Sequence, residues 1–322
     1  MTIISAAHNP KSLPHFIMSN VSLADKNWFR TGGPAKLFAA PRSADEFTLA
    51  LAYAQEHREP IFVLGQGANI LISDSGFDGL VIKPDLCTIS HKYDGSEAFI
   101  TAGAGVTMSD LIEYCLSNNL GGLEDFSGIP GSIGGAVFIN LHYFEFLLGN
   151  FLESAHVINR TTGTVQTVDR AWFNFGYDIS TLHDHTHYLV NATFKVRCAT
   201  DLEIAFARGR RQEIIRHRAR RYPQTNTCGS FFRNFHPEEV TLEIDKKRMI
   251  FVAYYLDKIG VKGNLRVGNA MVSYQHANML VNLGNATSSD IMNVARRMQK
   301  LVREQFGIVP QPECILVGNF ND

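Results

Sequence analysis

Three glycine-rich segments in the first half of the chain have the composition of phosphate-binding loops. They read GQGANIL at residues 65–71, AGAGV at 102–106 and GIPGSIGGAV at 128–137. Glycine lets successive backbone N–H groups converge on an anion, and Asn69 adds a side-chain amide. One such loop is more typical of a tight turn. Three of them together favour a large dinucleotide cofactor with many backbone contacts.

The first of these loops is not the Rossmann fingerprint. Ile70 occupies its third glycine position, and the residues that follow are extended and apolar rather than amphipathic and helical. No helix N-terminus therefore follows the loop to receive a pyrophosphate.

Other polar residues have simpler explanations when they are considered alone. The segment TCGSFFRN at 227–234 predicts a polar turn before a strand, with Ser230 capping a backbone group. His183, His185 and His187 alternate and would share one face of a strand, where they could bind a metal. No cysteine or second histidine pair accompanies them, so we interpret them as a polar strand edge and expect no metal site.

Seven arginines lie between Arg208 and Arg221, a density that could indicate RNA binding. The formal net charge of the chain is only −1, and no aromatic residues are interleaved with these arginines. The segment therefore favours a solvated helix face that also attracts a diphosphate, rather than a nucleic-acid surface.

The composition is that of an ordinary globular protein, with 45% hydrophobic and 19% charged residues. Five scattered cysteines without a C-x-x-C pair argue against a disulfide framework and a zinc site, and fit a reducing cytoplasm. The N-terminus lacks the basic start and apolar core of a signal peptide. The charge-free stretch 126–144 is rich in glycine and suits a backbone loop better than a membrane helix.

Two helices have clear boundary signals. Thr107 and Asp110 form a pair like a capping box, and Gly121-Gly122 would end that helix. Thr287 and Asp290 begin a second helix that ends before Gly307. Its predicted buried face contains Ile291, Val294, Ala295, Met298, Leu301 and Val302. Short strands are predicted for IFVLG, ILIS, GLVIK, FITAG and, near the end of the chain, PQPECILVG.

Strands and helices mix without a regular βαβ rhythm, which predicts an α+β fold. We divide the chain into a cofactor domain at residues 1–200, with subdomains at about 1–85 and 86–200, and a substrate domain at 201–309. Residues 310–322 would then form a closing strand that returns to the first domain. The main boundary is placed near residue 200 because the composition changes there, with the arginine-rich segment and a polar turn following.

Six motifs in a fixed order resemble the UDP-N-acetylenolpyruvoylglucosamine reductases, the MurB family. They read NWFRTGGPA, VLGQGANILISDSGFDGLVIK, GLEDFSGIPGSIGGAV, GSFFRN, GVKGNLRVGNAMVSYQHANMLVN and PECILVG. The resemblance implies a vanillyl-alcohol-oxidase-like (PCMH-type) FAD-binding domain followed by the family's own substrate domain. The short segment between Ser180 and Cys198 is similar to the second, shorter type of the family.

The resemblance also implies an activity: NADPH reduces non-covalent FAD, which then reduces the enolpyruvyl ether of a UDP-sugar in peptidoglycan precursor synthesis. It makes Ser230 the proton donor and Glu313 the second catalytic residue. Tyr177, Asn234 and His276 would contact the substrate, although His276 could equally be a core histidine. The implied cofactor-binding residues are Gly65, Gln66, Gly67, Ala68, Asn69, Ile70, Leu71, Gly103, Ile129, Gly131, Ser132, Gly134 and Gly135.

Two departures from the family pattern bear on catalysis. The family's Tyr-Arg-x-Ser, whose arginine pairs with the substrate carboxylate, is Tyr177-Asp178-Ile179-Ser180 here. Either another arginine substitutes, or Asp178 points away, or catalysis is weakened. The family's Asn-Ala-Gly-Ala-Tyr-Gly is replaced at 140–145 by NLHYFE, in which both glycines are missing.

Two other functions stay open at this point. The chain could be a different flavin oxidoreductase of the same cofactor fold, or a catalytically impaired relative that binds flavin or a UDP-sugar. We expect a cytoplasmic monomer with a small-molecule substrate and with no nucleic acid, membrane or metal partner.

Overall fold

The computed structural model describes residues 13–320 and contains both helices and strands in two lobes. The helices are α1 (Ala44–Glu56), α2 (Met108–Ser117), α3 (Ile133–Phe138), α4 (Asp201–Arg221), α5 (Val252–Lys258) and α6 (Ser288–Phe306). The strands of the first lobe are β1 (Ile17–Ser22), β2 (Pro34–Ala39), β3 (Ile61–Val63), β4 (Ile70–Ile72), β5 (Phe77–Ile82), β6 (Ile89–Asp94), β7 (Glu97–Gly103), β8 (Leu120–Gly121), β9 (His142–Tyr143), β10 (Phe146–Leu147), β11 (Leu152–Asn159), β12 (Val165–Asp169) and β13 (His187–Cys198). The remaining strands are β14 (Glu243–Ile244), β15 (Lys247–Arg248), β16 (Arg266–Val267), β17 (Ala270–Val272), β18 (Leu280–Asn282) and β19 (Ile315–Val317).

The first lobe contains two sheets. The smaller has the strand order β1-β2-β5-β3, in which β5 is parallel to both of its neighbours. The larger has the order β12-β11-β13-β7-β6 and is antiparallel, with β8 also paired to the end of β13. A continuous apolar core joins the larger sheet to α1 and α2. The mixture of parallel and antiparallel pairs with separate helices confirms the α+β class.

The second lobe is built on the antiparallel sheet β16-β17-β18, against which α6 packs. Its apolar core also includes Phe29 and Leu71 from the first lobe. After α6 the chain returns as β19, which pairs in parallel with β4. The glycine loop at 65–71 is therefore fixed on its C-terminal side by the end of the chain.

The capping signals position both predicted helices. The Thr287 side chain accepts from Asp290 N at 3.0 Å in a complete capping box, and Gly307 ends α6 at φ 73°. The Thr107 side chain accepts from Asp110 N at 3.0 Å at the start of α2. Leu301 was predicted to be buried and is exposed, because its position lies at the edge of the apolar stripe.

Two local predictions were wrong, and a third needs a small correction. Helix α2 ends at Ser117, ahead of Gly121-Gly122, because Asn119 adopts the left-handed conformation (φ 55°) that stops a helix. The charge-free stretch 126–144, interpreted as loop rather than membrane helix, is mainly loop but also contains the short helix α3. His183 lies in a 3-10 turn and His185 at its left-handed C-cap, so only His187 begins a strand. The expected polar strand edge is therefore absent from this part of the described chain.

Helix α4 begins at the proposed division near residue 200. Thr200 and Glu203 cap it reciprocally, and Ile204 and Ala207 are buried in the core of the first lobe. Its arginines form surface ion pairs, including Arg208 Nη1 with Glu113 Oε1 at 2.9 Å and Arg210 Nη2 with Asp125 Oδ1 at 3.1 Å. None of the helices within residues 13–320 is both long enough and apolar enough to span a membrane.

Candidate active site and cofactor cleft

The structure brings Ser230 and Glu313 together on neighbouring backbone segments. Ser230 forms an isolated antiparallel bridge with Met279, and Phe232 forms one with Pro312. Between them, Phe231 N donates to Asn278 O at 2.8 Å, and Phe231 O accepts from Glu313 N at 2.9 Å. Ser230 is thus adjacent in sequence to the residue that contacts Glu313. Its half-buried hydroxyl makes no hydrogen bond to another described residue, so its proton is available.

The segment after Glu313 connects this pair to the first glycine loop. Ile315 N donates to Asn69 O at 3.0 Å, and Ile315 is also the first residue of β19 in register with β4. Glu313 is therefore hydrogen-bonded to the second lobe through Phe231, and Ile315, two positions later, is hydrogen-bonded to the loop at 65–71. This short span fixes Glu313 between the two lobes.

The pKa of Glu313 is raised to about 7, mainly by burial and also by the negative charge of Asp178, while His142 opposes the shift. A carboxyl group taken out of water holds its proton more tightly because the charged form loses hydration. At neutral pH a substantial fraction of Glu313 is consequently a neutral acid. Such a group can donate a hydrogen bond or a proton.

Asp178 does not present a free carboxylate. Its Oδ1 lies 3.2 Å from His142 Nδ1, and both side chains are less than one-third exposed, at 29% and 28%. This hydrogen bond raises the pKa of His142, to which the charge of Glu313 also contributes, against the effect of burial. The Tyr177 ring lies 4.7 Å from the imidazole, centroid to centroid, on the exposed side.

Two polar side chains hold this pair in place. Asn140, which is buried and left-handed (φ 49°), donates from Nδ2 to Gly176 O at 3.0 Å and accepts at Oδ1 from Gly149 N at 2.9 Å. Ser180 Oγ donates to Phe138 O at 2.7 Å. The turn that carries Tyr177 and Asp178 is thereby attached to the β9–β10 hairpin that carries His142. The hairpin turns at Phe144, which has a left-handed backbone (φ 51°). The next residue, Glu145, replaces a glycine of the family pattern.

The three glycine-rich segments converge beside this site. Ile133 N donates to Val106 O at 2.8 Å and Gly134 N donates to Ala104 O at 2.9 Å, which joins the second segment to the third. The first approaches the third so closely that a Cβ atom on Gly65 would lie 2.6 Å from Ser132 Oγ. Every residue predicted to bind the cofactor lies on these three segments, and Lys83 Nζ donates to Gly65 O at 2.6 Å beside them.

Several buried polar atoms around the converging segments lack a hydrogen-bond partner among the described residues. They are Asn69 Oδ1 and Ser132 Oγ on the loops, and Asn27 Oδ1 and Thr31 Oγ1 on the adjacent segment. Buried polar groups are nearly always satisfied, so a ligand with donors and acceptors is expected here. FAD fits this arrangement, because its phosphates, ribityl hydroxyls and ring edges present many such groups along a glycine backbone.

Two predicted substrate contacts lie at different depths. Asn234 is exposed, and its Oδ1 accepts from Val252 N at 3.3 Å at the start of α5. His276 is half-buried, with its ring 5.5 Å from that of Tyr222, and its Nδ1 accepts from Asn278 N at 3.2 Å. Burial lowers the pKa of His276, which favours the neutral imidazole. The role of each residue in substrate binding stays a prediction.

Sequence reasoning missed three residues of the site. Asn278 accepts from Phe232 N at 3.0 Å and donates to Phe232 O at 2.8 Å, so its side chain acts as an extra strand partner. Arg218 Nε donates to Gly128 O at 3.0 Å, and its guanidinium lies 5.9 Å from the centre of the Tyr143 ring. His142 is the third. A buried asparagine in the apolar run HANMLVN was the available signal for Asn278, and the arginine-rich segment 208–221 was the signal for Arg218, whereas no local pattern identifies His142.

The comparisons with known proteins agree with this architecture. Residues 35–169 match a family described as an FAD binding domain, and residues 221–317 match the UDP-N-acetylenolpyruvoylglucosamine reductase C-terminal domain. The fold and the cleft thus define a protein built around an FAD-binding domain with a second, specialised domain.

Relatives match along nearly the whole chain. The UDP-N-acetylenolpyruvoylglucosamine reductase of Trichormus variabilis is 31% identical over 304 residues, covering 94% of this chain and 87% of the relative. That of Listeria welshimeri is 31% identical over 311 residues, covering 96% and 98%. The crystal structure of MurB from Thermus caldophilus superposes with a TM-score of 0.73 at 28% identity, covering 92% of this chain and 98% of that one. The chain belongs to the UDP-N-acetylenolpyruvoylglucosamine reductase family, as its motifs predicted.

Proposed function

We propose that this protein is an FAD-dependent oxidoreductase that uses NADPH to reduce the enolpyruvyl ether of UDP-N-acetylenolpyruvoylglucosamine to UDP-N-acetylmuramate. The observation that carries the proposal is the placement of Ser230 beside Glu313, next to three converging glycine loops, in a chain of this family.

Bound FAD would supply the hydride chemistry of the reaction, and the residues of the three loops would hold it through their backbone and through Asn69 and Ser132. The protein itself must protonate the substrate carbon next to the carboxylate. That carbon is strongly basic once the neighbouring methylene carbon has been reduced, so a serine hydroxyl is a sufficient acid. Ser230 is the proposed donor, because it is half-buried and its hydroxyl makes no hydrogen bond to any residue within 13–320.

Glu313 is the proposed second acid of the site. With a pKa of about 7 it is partly protonated at neutral pH and can polarise the developing enolate by hydrogen bonding. Its backbone attachment to both Phe231 and, through Ile315, Asn69 keeps it between the substrate lobe and the cofactor loops. Tyr177, Asn234 and His276 are the proposed substrate contacts.

We also propose that the protein works as a cytoplasmic monomer, with a cofactor domain at 1–200, a substrate domain at 201–309 and a closing segment at 310–322. The five cysteines are free thiols, which suits a reducing compartment. Light scattering on the purified protein tests the oligomeric state, and a dimer mass would contradict it.

The function is tested in two half-reactions. The purified protein should be yellow, release free FAD on denaturation, and be reduced by NADPH in the absence of the sugar nucleotide. Adding enolpyruvyl-UDP-N-acetylglucosamine should then reoxidise the flavin. Ser230→Ala should leave reduction by NADPH intact and slow reoxidation about 10²–10⁴-fold, because a positioned acid is lost. Ser96→Ala, on an exposed turn, is the control.

Each other function has its own outcome in this experiment. Flavin that is reduced but not reoxidised by the sugar nucleotide would indicate a different flavin oxidoreductase. Tight binding of the sugar nucleotide without reoxidation would indicate an impaired relative. Equal reoxidation rates for wild type and Ser230→Ala would remove Ser230 as the proton donor.

A further inference from the structure

The site has an unresolved charge problem at Asp178. The resemblance places there an arginine that pairs with the substrate carboxylate, and a free aspartate would repel that group. The inference below rests on the proposed function and concerns the residue that neutralises this repulsion.

Among the described residues, one basic side chain is in direct contact with Asp178. His142 Nδ1 lies 3.2 Å from Asp178 Oδ1, at hydrogen-bond distance for an imidazole that donates to a carboxylate. The opposite nitrogen, Nε2, makes no hydrogen bond to another described residue. With about a quarter of its side chain exposed, His142 can present this second N–H to a ligand while Asp178 orients the ring.

The position of His142 is built into the fold. Leu148 N donates to Leu141 O at 2.8 Å and closes the base of the β9–β10 hairpin. Asn140 connects that base to Gly176, two residues before Asp178. In the family pattern, the position of His142 is a glycine and the position of Asp178 is an arginine. The two departures from the pattern contact each other.

Glu313, Tyr177 and His183 interact electrostatically with the pair, and Arg218 packs nearby. Glu313 interacts electrostatically with His142, Asp178 and Tyr177, which places the pair on the side of the site where Glu313 lies. His183 also senses the charge of Asp178, but its ring stacks on Phe138 at 3.8 Å. Arg218 packs on Tyr143 and Tyr222 and shows no interaction with Asp178 or Glu313 among the described groups.

We propose that His142, oriented by Asp178, binds the carboxylate of the enolpyruvyl group and replaces the arginine expected at residue 178. In this arrangement Asp178 faces the imidazolium rather than the substrate, so the pair presents a positive N–H to the site. The interaction has one property that an arginine would lack. It weakens as pH rises through the pKa of the imidazole, because only the protonated ring carries the charge.

The direct test is the pH dependence of substrate binding to the oxidised holoenzyme. The dissociation constant of enolpyruvyl-UDP-N-acetylglucosamine would be measured from the change in flavin absorbance at pH 6 and pH 8.5. We expect wild-type affinity to fall about tenfold across this range, as the charge is lost. His142→Gln should bind weakly at pH 6 and should lose less affinity than wild type up to pH 8.5, because only the ionisation of Glu313 then opposes the substrate carboxylate. His91→Gln, on β6 with its ring hydrogen-bonded to Tyr114 of α2, is the matched control.

A second measurement does not depend on any variant folding. In wild-type protein labelled with ¹³C at histidine Cε1, substrate should raise the pKa of His142 by about one pH unit, since a tenfold preference for the charged form is reciprocal. His183 should not shift in this way.

The outcomes separate this inference from the proposed function. Unchanged affinity and pH dependence in His142→Gln, with normal reoxidation by the substrate, would overturn the role of His142 alone. An unshifted His142 resonance at saturating substrate would do the same. A wild-type protein that neither binds the sugar nucleotide nor is reoxidised by it would overturn both proposals.

Discussion

The two sides of the candidate site are constructed by different means. On one side, Ser230 and Glu313 are positioned by main-chain hydrogen bonds through Phe231, which do not depend on side-chain identity. On the other side, His142 and Asp178 extend from a two-residue hairpin and a left-handed turn, and they meet only through their side chains.

This difference matches the distribution of family residues. The side built from main-chain pairing retains the serine and glutamate of the motifs, whereas the side built from a side-chain contact has lost the expected arginine. A backbone ladder fixes the direction of each side chain, so proton transfer, which requires accurate geometry, is suited to it. Charge recognition is less directional and can be supplied from another position by another cation.

We expect the largest effect on the side held by main-chain hydrogen bonds, from Glu313→Gln. This substitution removes the titrating proton and keeps the size and shape of the side chain. Reoxidation of reduced flavin by the substrate should slow by about 10²–10⁴-fold. Reduction by NADPH should be unaffected. Stopped-flow absorbance would measure both steps, with the exposed helix variant Glu304→Gln as control. Reoxidation at the wild-type rate would show that only Ser230 carries the proton chemistry.

The same variant should change stability in a pH-dependent manner. Folding shifts the pKa of Glu313 from 4.5 to about 7, so the folded state holds the proton more tightly and this contribution to stability is lost as pH rises through 7. Relative to wild type, Glu313→Gln should gain about 3 kcal/mol in free energy of unfolding between pH 4.5 and pH 8. Urea unfolding at both pH values measures it, and a pH-independent difference would contradict the shift.

A smaller effect is expected where a side chain supplements the main-chain pairing. Asn278→Ala leaves the buried N–H and C=O of Phe232 without the partners that Asn278 supplies. The cost should be roughly 2 kcal/mol of stability, accompanied by slower reoxidation as Ser230 loses its alignment. Urea unfolding and stopped-flow absorbance measure the two effects. Asn293→Ala on the exposed face of α6 should change neither.

The smallest effect is expected from restoring the family pattern at His142 and Asp178. Asp178→Arg alone would place two cations together and should weaken substrate binding about tenfold at pH 6. Adding His142→Gly removes the competing imidazole and should recover the affinity, with a smaller pH dependence between 6 and 8.5 than wild type because only Glu313 still titrates there. A double variant that binds no better than Asp178→Arg would show that the two positions are not coupled.

Much of the fold was predictable because its signals are local. A threonine followed three residues later by an acidic residue begins α2 and α6, since the cap satisfies backbone groups within one turn. The end of α2 was mispredicted because asparagine, not glycine, takes the left-handed position. The histidines at 183 and 185 were mispredicted because alternation alone does not distinguish a strand from a 3-10 turn.

The sequence by itself determined the family and the three glycine loops and predicted Ser230 and Glu313 as candidate site residues, because all of these are carried by short motifs of neighbouring residues. Only the tertiary structure decided the electrostatics of the site. The pKa of Glu313 depends on burial between two lobes and on Asp178, and the Asp178 carboxylate is in turn contacted by His142 from a separate hairpin. Electrostatic interactions act across space between segments distant in sequence, so residue types alone left the partner of Asp178 open, and the fold supplies it.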